Sequence, residues 1–344
     1  MEHGRDREQP RRAALARTTL KDFTPSGLLR NAHVQSIFPS LGLHRRRVAR
    51  RAAALVAASR ELIVDCGEGT RLQAFHATPA VSPRATVVLL HGWEGSASAG
   101  YLLSLGQNLF DAGYGVVRLN LRDHGDTHAL NRELFHSCRL PEVAGAVRAL
   151  AARFADTPLL LVGFSLGGNF MLRVAAEPGI AACGIRRVVA VSPVLDPART
   201  LDALERGLPL YRRYFVWKWT RSLRLKQAAW RDSHDFEDVI RHADLRRMTA
   251  ELVKGHTSYG DIDAYLEGYA ITGTKMATLA IPSVILIADD DPIIPAEDLA
   301  RLAPNPLLRI VRTSHGGHTG FLSSWRGESW SNAFVMRELA AALD

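Results

Sequence analysis

The chain has 344 residues, 47% of them hydrophobic and 23% charged, with a formal net charge of +8. That is an ordinary globular composition at a length that suits one large domain with room for an insertion. Three scattered cysteines (Cys66, Cys138, Cys183) argue against a disulfide framework, no stretch nears the roughly 18 apolar residues of a membrane span, and Met1 to Arg17 is polar and Arg-rich rather than leader-like, so a cytoplasmic protein is expected.

Residues 1–25 read as a flexible N-terminal tail. A basic cluster follows, His44-Arg45-Arg46-Arg47 with Arg50 and Arg51. Residues 60–66 and 71–76 alternate as two hairpin strands turned by Gly67-Glu68-Gly69. Thr86 to Leu90 is a short apolar strand ending at His91-Gly92. Residues 98–112 read as a helix closed by Gly113, and Gly115 to Leu121 as a buried strand. Pro141 to Phe154 is helical, Leu159 to Val162 is a strand, and Arg187 to Val191 is the next, ended by Ser192-Pro193. Alternating strand and helix from about 85 to 192 indicates right-handed βαβ units and a parallel sheet.

The alternation stops at 197–275, which is rich in Leu, Arg, Trp and Tyr at helical spacing. It resumes with a strand at Pro282–Ala288, a helix at Ala296–Leu302, a strand at Leu307–Val311 and a closing helix at Ser329–Leu343. The reading is a core of residues 26–196 and 276–344 with a helical cap, 197–275, inserted over the strand ends where ligands bind. Within it, Arg206 to Arg231 interleaves basic residues with Tyr211, Tyr214, Phe215, Trp217, Trp219 and Trp230. A solvated helical face with the aromatics turned inward is the favoured reading. No nucleic-acid motif accompanies the charge, so no nucleic-acid partner is expected, and peripheral membrane contact is not favoured.

The most informative segment is Gly163-Phe164-Ser165-Leu166-Gly167, set between a strand and a helical pattern. This is G-x-S-x-G in the strand–turn–helix context of a nucleophile elbow. A sharp turn strains the serine backbone, and a Cβ two residues away on either side would collide with it. The helix start behind Ser165 offers free N–H groups to a developing oxyanion.

A serine needs a positioned base, and in this arrangement acid and base follow on loops after later strands. Past the strand at 282–288 stands Asp289-Asp290-Asp291, which leaves the acid open. Past the last strand stands His315-Gly316-Gly317-His318, where two glycines let His318 turn inward, leaving His315 at the rim. The oxyanion hole would combine the N–H groups of Leu166 and Trp93, the latter in His91-Gly92-Trp93-Glu94-Gly95-Ser96, with the Trp93 indole walling the pocket. The His/Asp cluster lacks zinc-motif spacing, and no metal or cofactor is expected.

Four segments together resemble the YheT-like branch of the α/β-hydrolases. They are Asn31-Ala32-His33-Val34-Gln35-Ser36, the loop at 91–96, the elbow with Gly168-Asn169, and Gly316-Gly317-His318-Thr319-Gly320-Phe321. The resemblance spans roughly residues 22–344. It implies an α/β-hydrolase fold, a mostly parallel central sheet flanked by helices, and a Ser–Asp–His relay acting on esters. Asp291-Pro292-Ile293-Ile294-Pro295 has the D-P-[IV]-x-P form usual in related hydrolases and favours Asp291 as the acid, with Asp290 the alternative. One departure is Arg122-Asp123-His124-Gly125-Asp126, where the family often has R-G-x-x-G. The expected pocket-lining residues are His91, Glu94, His136, Trp217 and Trp219. The expected reaction is hydrolysis of a small-molecule ester with an apolar acyl chain. Acyl transfer, or a non-catalytic or membrane-binding role on the same scaffold, is the alternative.

Overall fold

A computed structural model describes residues 23–344. Most of the tail expected at 1–25 lies outside the described residues. Its last part departs from that expectation: Phe23 is buried and packs against the rings of Phe321 and Trp330. An aromatic ring that reaches an apolar core is held there by burial, so Phe23 belongs to the packed core rather than to a loose tail.

The first helices are α1 (Ala32–Ile37), α2 (Gly42–Arg51) and α3 (Ala53–Ala58), none of which the sequence patterns resolved. They are short, and the Arg run of α2 leaves only His44 and Val48 buried. The hairpin β1 (Ser59–Asp65) and β2 (Arg71–Ala77) follows, then β3 (Thr86–Leu90), α4 (Gly100–Asp111), β4 (Gly115–Leu119), α5 (Leu140–Arg153), β5 (Leu159–Phe164), α6 (Leu166–Ala175) and β6 (Ile185–Val191). Between β6 and β7 (Ser283–Ala288) come α7 (Pro197–Arg206), α8 (Pro209–Ala229), α9 (Glu237–Ile240), α10 (Leu245–His256) and α11 (Ile262–Gly268). The chain closes with β8 (Leu308–Thr313) and α12 (Trp330–Ala340). The helix expected at Ala296–Leu302 is a 3-10 helix, Ala296–Arg301. The segment is one short run between Pro295 and the β8 approach, too brief to propagate.

The eight strands run β1-β2-β4-β3-β5-β6-β7-β8, with β1, β2 and β4 paired antiparallel and the rest parallel. β3, β4, β5 and β7 are buried along their whole length, as parallel strands covered on both faces must be. Their side chains alternate between two apolar layers. Val87, Leu89, Leu160 and Val162 pack with Leu102, Leu105, Leu109 and Phe334 on one face. Val88, Leu90, Leu159 and Leu161 pack with Val143, Val147, Leu150 and Phe170 on the other. The latter core continues into the helices after β6 through Leu201, Trp219, Leu252 and Tyr265.

The aromatics of α8 do not all turn inward. Tyr211 and Trp219 are buried, but Tyr214 and Trp217 are exposed. The aromatic residues of this helix spread over about 200° of its circumference at 3.6 residues per turn, wider than the face it packs, so those at the edge stay in solvent.

Candidate active site

The Ser165 turn is built by steric exclusion. Ser165 sits at φ 52°, ψ −122°, between the end of β5 and the first residue of α6. A Cβ on Gly163 would overlap the Gly167 carbonyl, and a Cβ on Gly167 would overlap the carbonyls of Leu90 and His91 at the end of β3. The second collision is with a neighbouring strand rather than with the turn itself. The glycines therefore set how closely the elbow helix approaches the sheet.

His318 Nε2 lies 3.0 Å from Ser165 Oγ, and His318 Nδ1 lies 3.0 Å from Asp291 Oδ2. A carboxylate only accepts, so Nδ1 carries the proton and Nε2 is left to accept from the serine hydroxyl. The Asp291 side chain is fully buried, and its other oxygen accepts from the N–H groups of Ile293 (2.9 Å) and Ile294 (3.0 Å).

The three consecutive aspartates are sorted by partner. Asp289 pairs with Arg312 at 2.7 Å. Asp290 accepts from the Gly317 N–H at 2.9 Å and lies 3.3 Å from His315 Nδ1. Only Asp291 reaches His318.

The histidine loop is braced from the far end of the sequence. The Ser36 hydroxyl accepts from the His318 N–H (2.8 Å) and donates to the Ala32 carbonyl (2.7 Å). Gln35 bonds both backbone groups of Leu322. A Cβ on Gly317, at φ +54°, would collide with the Ala32 carbonyl and the Ser36 hydroxyl. These contacts give the Asn31–Ser36 motif a physical task, which its local pattern did not disclose.

The loop after β3 is held by two neutral histidines. His91 is completely buried and donates from Nδ1 to the Gly92 carbonyl (2.7 Å), while Nε2 accepts from the Leu121 N–H (3.2 Å). Burial pushes its pKa down to about 4. His91 thus does not line the cavity, contrary to expectation, because both ring nitrogens are spent on backbone. His124, which sequence reasoning missed as a site residue, donates to the Arg122 carbonyl (2.7 Å) and accepts from the Glu94 N–H (3.1 Å). Its pKa is held well below the usual range by burial, then by His91, whose ring lies 5.0 Å away. The Gly92 N–H donates to Tyr101 Oη at 3.0 Å. Among the described residues the N–H groups of Trp93 and Leu166 have no backbone or side-chain acceptor.

The divergent Arg122–Asp126 loop is accounted for by buried ion pairs. Arg122 forks onto both carboxylate oxygens of Glu142, and Lys226 of α8 donates to Asp123 at 2.9 Å. Lys226 also donates to the carbonyls of Asn131 and Glu133, tying α8 to this loop.

Ser165 and His318 open on a cavity of about 720 Å³. Glu94, His136, Trp217 and Trp219 border it, together with Leu201, Leu204 and Leu252. The Trp93 indole stacks on Phe215 (5.2 Å, 8°) and meets Trp219 edge-on. Burial lifts the Glu94 carboxyl to about 7, with Lys218 and Arg221 acting against the rise. His136 is kept neutral, its pKa lowered to about 3 by burial and then by Arg139, and its Nδ1 has no partner among the described residues. A serine–imidazole–carboxylate relay, its carboxylate buried and its serine open to a mostly apolar chamber, can attack an acyl carbon and return a proton to a leaving group.

A family model described as the alpha/beta hydrolase fold matches residues 85–324. The chain is 24% identical over 310 residues to YheT of Escherichia coli (strain K12), spanning 88% of this chain and 87% of that one. It is 23% identical over 245 residues to phospholipase ABHD3 of Mus musculus, spanning 70% of this chain but only 59% of the mouse protein. Among solved structures, the Pyrococcus furiosus esterase Pf2001 superposes with a TM-score of 0.55 at 14% identity, over 83% of this chain and 93% of that one, a likeness of fold.

Proposed function

Because the chain belongs to the alpha/beta hydrolase fold family, we propose that it hydrolyses carboxylic esters through an acyl-enzyme on Ser165. The observation that carries this reading is the continuous relay Ser165–His318–Asp291, with both contacts at 3.0 Å, opening on an apolar chamber.

In this reading, Ser165 Oγ attacks the ester carbonyl carbon as His318 Nε2 takes the hydroxyl proton. Asp291 fixes the tautomer and stabilises the imidazolium that forms. The N–H groups of Leu166 and Trp93 receive the oxyanion. His318 then returns the proton to the departing alkoxide, leaving the acyl group on Ser165. Water, deprotonated by the same imidazole, attacks that carbonyl, and the carboxylic acid leaves as Ser165 regains its proton.

The helices α7, α8, α10 and α11 act here as a cap that bounds the chamber with apolar side chains. An apolar acyl chain is the substrate part that such a lining favours. The phospholipase name of the mouse relative supports a lipid-like ester.

A fluorophosphonate probe should label Ser165 and no other serine, and a panel of esters should be turned over by the native protein. Ser165→Ala should lower turnover by about 10³-fold or more with unchanged circular dichroism. Unimpaired hydrolysis by that variant would remove the reading.

A further inference from the structure

We propose that the mouth of the Ser165 cavity docks on an anionic lipid bilayer, through an apolar tip of Leu41, Leu43, Leu210, Tyr214 and Trp217 set among the arginines of α2 and α8. Single exposed hydrophobics are normal on any surface. Here four of the five border one opening, and Leu43 stands two residues from Leu41 at the start of α2. Leu43 is 83% exposed, Trp217 60% and Tyr214 44%. Leu41, Leu210, Tyr214 and Trp217 all border the cavity that holds Ser165, as does Arg45. The Arg45 charge also acts on Tyr214 and Lys218, so α2 and α8 flank one opening.

Each helix turns a mixed face outward. On α8, Leu210, Arg213, Tyr214, Trp217, Arg221 and Arg224 recur at three- and four-residue spacing, while Tyr211, Trp219 and Leu223 are buried on the other side. On α2, Leu43, Arg46 and Arg50 lie opposite the buried His44 and Val48. Tyrosine and tryptophan at an exposed rim, beside leucines and arginines, suit the headgroup layer, where an amphipathic ring is half solvated.

Charge selects the occupant. α2 and α8 together carry eleven Lys and Arg and no Asp or Glu; taking these eleven from the total of +8 leaves the rest of the chain at −3. Arg45, Arg46, Arg50, Arg213, Arg221 and Arg224 have no salt bridge among the described residues, whereas Arg212 pairs with Glu205 and Lys226 with Asp123. A second copy would bring two surfaces of the same sign together, since a two-fold interface is self-complementary. An anionic membrane answers both the charge and the apolar tip. No helix among the described residues is long and apolar enough to cross a membrane. That docking delivers a bilayer ester to Ser165 rests on the preceding subsection; the docking itself does not.

The test uses the full chain carrying Ser165→Ala, sedimented with vesicles of phosphatidylcholine alone or with roughly one third phosphatidylglycerol. The protein should pellet with the anionic vesicles, be released by high salt, and show a blue shift of tryptophan emission. Arg46→Glu with Arg50→Glu should weaken partitioning by at least about 30-fold, and Leu43→Ser should weaken it further. In otherwise native protein these three substitutions should leave hydrolysis of a soluble short-chain ester unchanged. Equal binding to neutral vesicles, no binding at all, a dimer broken by Leu43→Ser, or displacement by nucleic acid would each overturn the docking. Docking without esterase activity would remove only the catalytic reading, and esterase activity without docking only this one.

Discussion

Gln35 clasps Leu322 across the molecule: its side-chain oxygen accepts from the Leu322 N–H at 2.6 Å, and its nitrogen donates to the Leu322 carbonyl at 3.2 Å. The same nitrogen donates to the Leu29 carbonyl at 2.6 Å. Gln35 is fully buried, so these backbone groups have no water to turn to.

Gln35→Leu should therefore cost about 3 kcal/mol or more in urea unfolding, since several buried backbone groups lose their partner at about 1–3 kcal/mol each. Turnover should fall as well, because Leu322 and His318 share one loop. A stability within about 0.5 kcal/mol of native, the scatter of surface changes, would show that the clasp contributes little.

The aspartate run offers a graded test. Asp291→Asn should lower kcat by about 10⁴-fold, because an amide presents the wrong partner to His318 Nδ1. Asp290→Asn keeps an acceptor for the Gly317 N–H and should cost no more than about tenfold. Asp289→Asn breaks only a solvent-screened pair with Arg312 and should stay within about twofold. Steady-state rates on one soluble ester decide the order, and a dead Asp290 variant would move the acid by one residue.

Acid should destabilise the fold through its buried histidines. Burial holds His91 and His128 down to about 4 and His136 to about 3. The unfolded chain takes up these protons near 6.5, while the folded protein resists until far lower pH. The stability they contribute is fully present above about 6.5 and is lost as pH falls toward 4, at about 1.4 kcal/mol per unit of depression. Glu94, raised to about 7, works in the opposite sense between 7 and 4.5, since the folded state binds its proton first. His124, also depressed, adds to these three histidines, while Asp123 and Asp298, raised by burial, act with Glu94 at lower pH; the histidines should leave a net loss between pH 7 and 5 in urea titrations. A flat profile would mean that these rings are solvated.

Chain-length preference should follow Trp219 rather than Trp217. Trp219 is only 8% exposed and sits edge-on to Trp93 at the chamber wall. Trp219→Leu should enlarge the chamber and shift the preferred acyl chain to greater length, each added buried methylene being worth about 0.8 kcal/mol, or about fourfold in kcat/KM. Trp217→Leu, at the solvent rim, should leave soluble-ester preference nearly unchanged. Equal shifts in both variants would place both indoles in the acyl path.

The sequence by itself determined what short-range chemistry controls. Ser165 was legible because its glycines, strand and helix are all within a few residues, and steric exclusion acts over that span. The parallel strands were legible because burial on both faces demands continuous apolar runs such as Thr86–Leu90. Tertiary structure alone decided the rest. His91 and His124 look alike to any site search, and only the approach of the β3 and β4 loops turns them into backbone clamps. Gln35 and Ser36 act on a loop 287 and 282 positions away, a distance no local pattern spans. The outward turn of Tyr214 and Trp217 was set by which side of α8 found a core to cover, since its aromatics spread wider than one packed face and burial is settled by neighbours, not by composition.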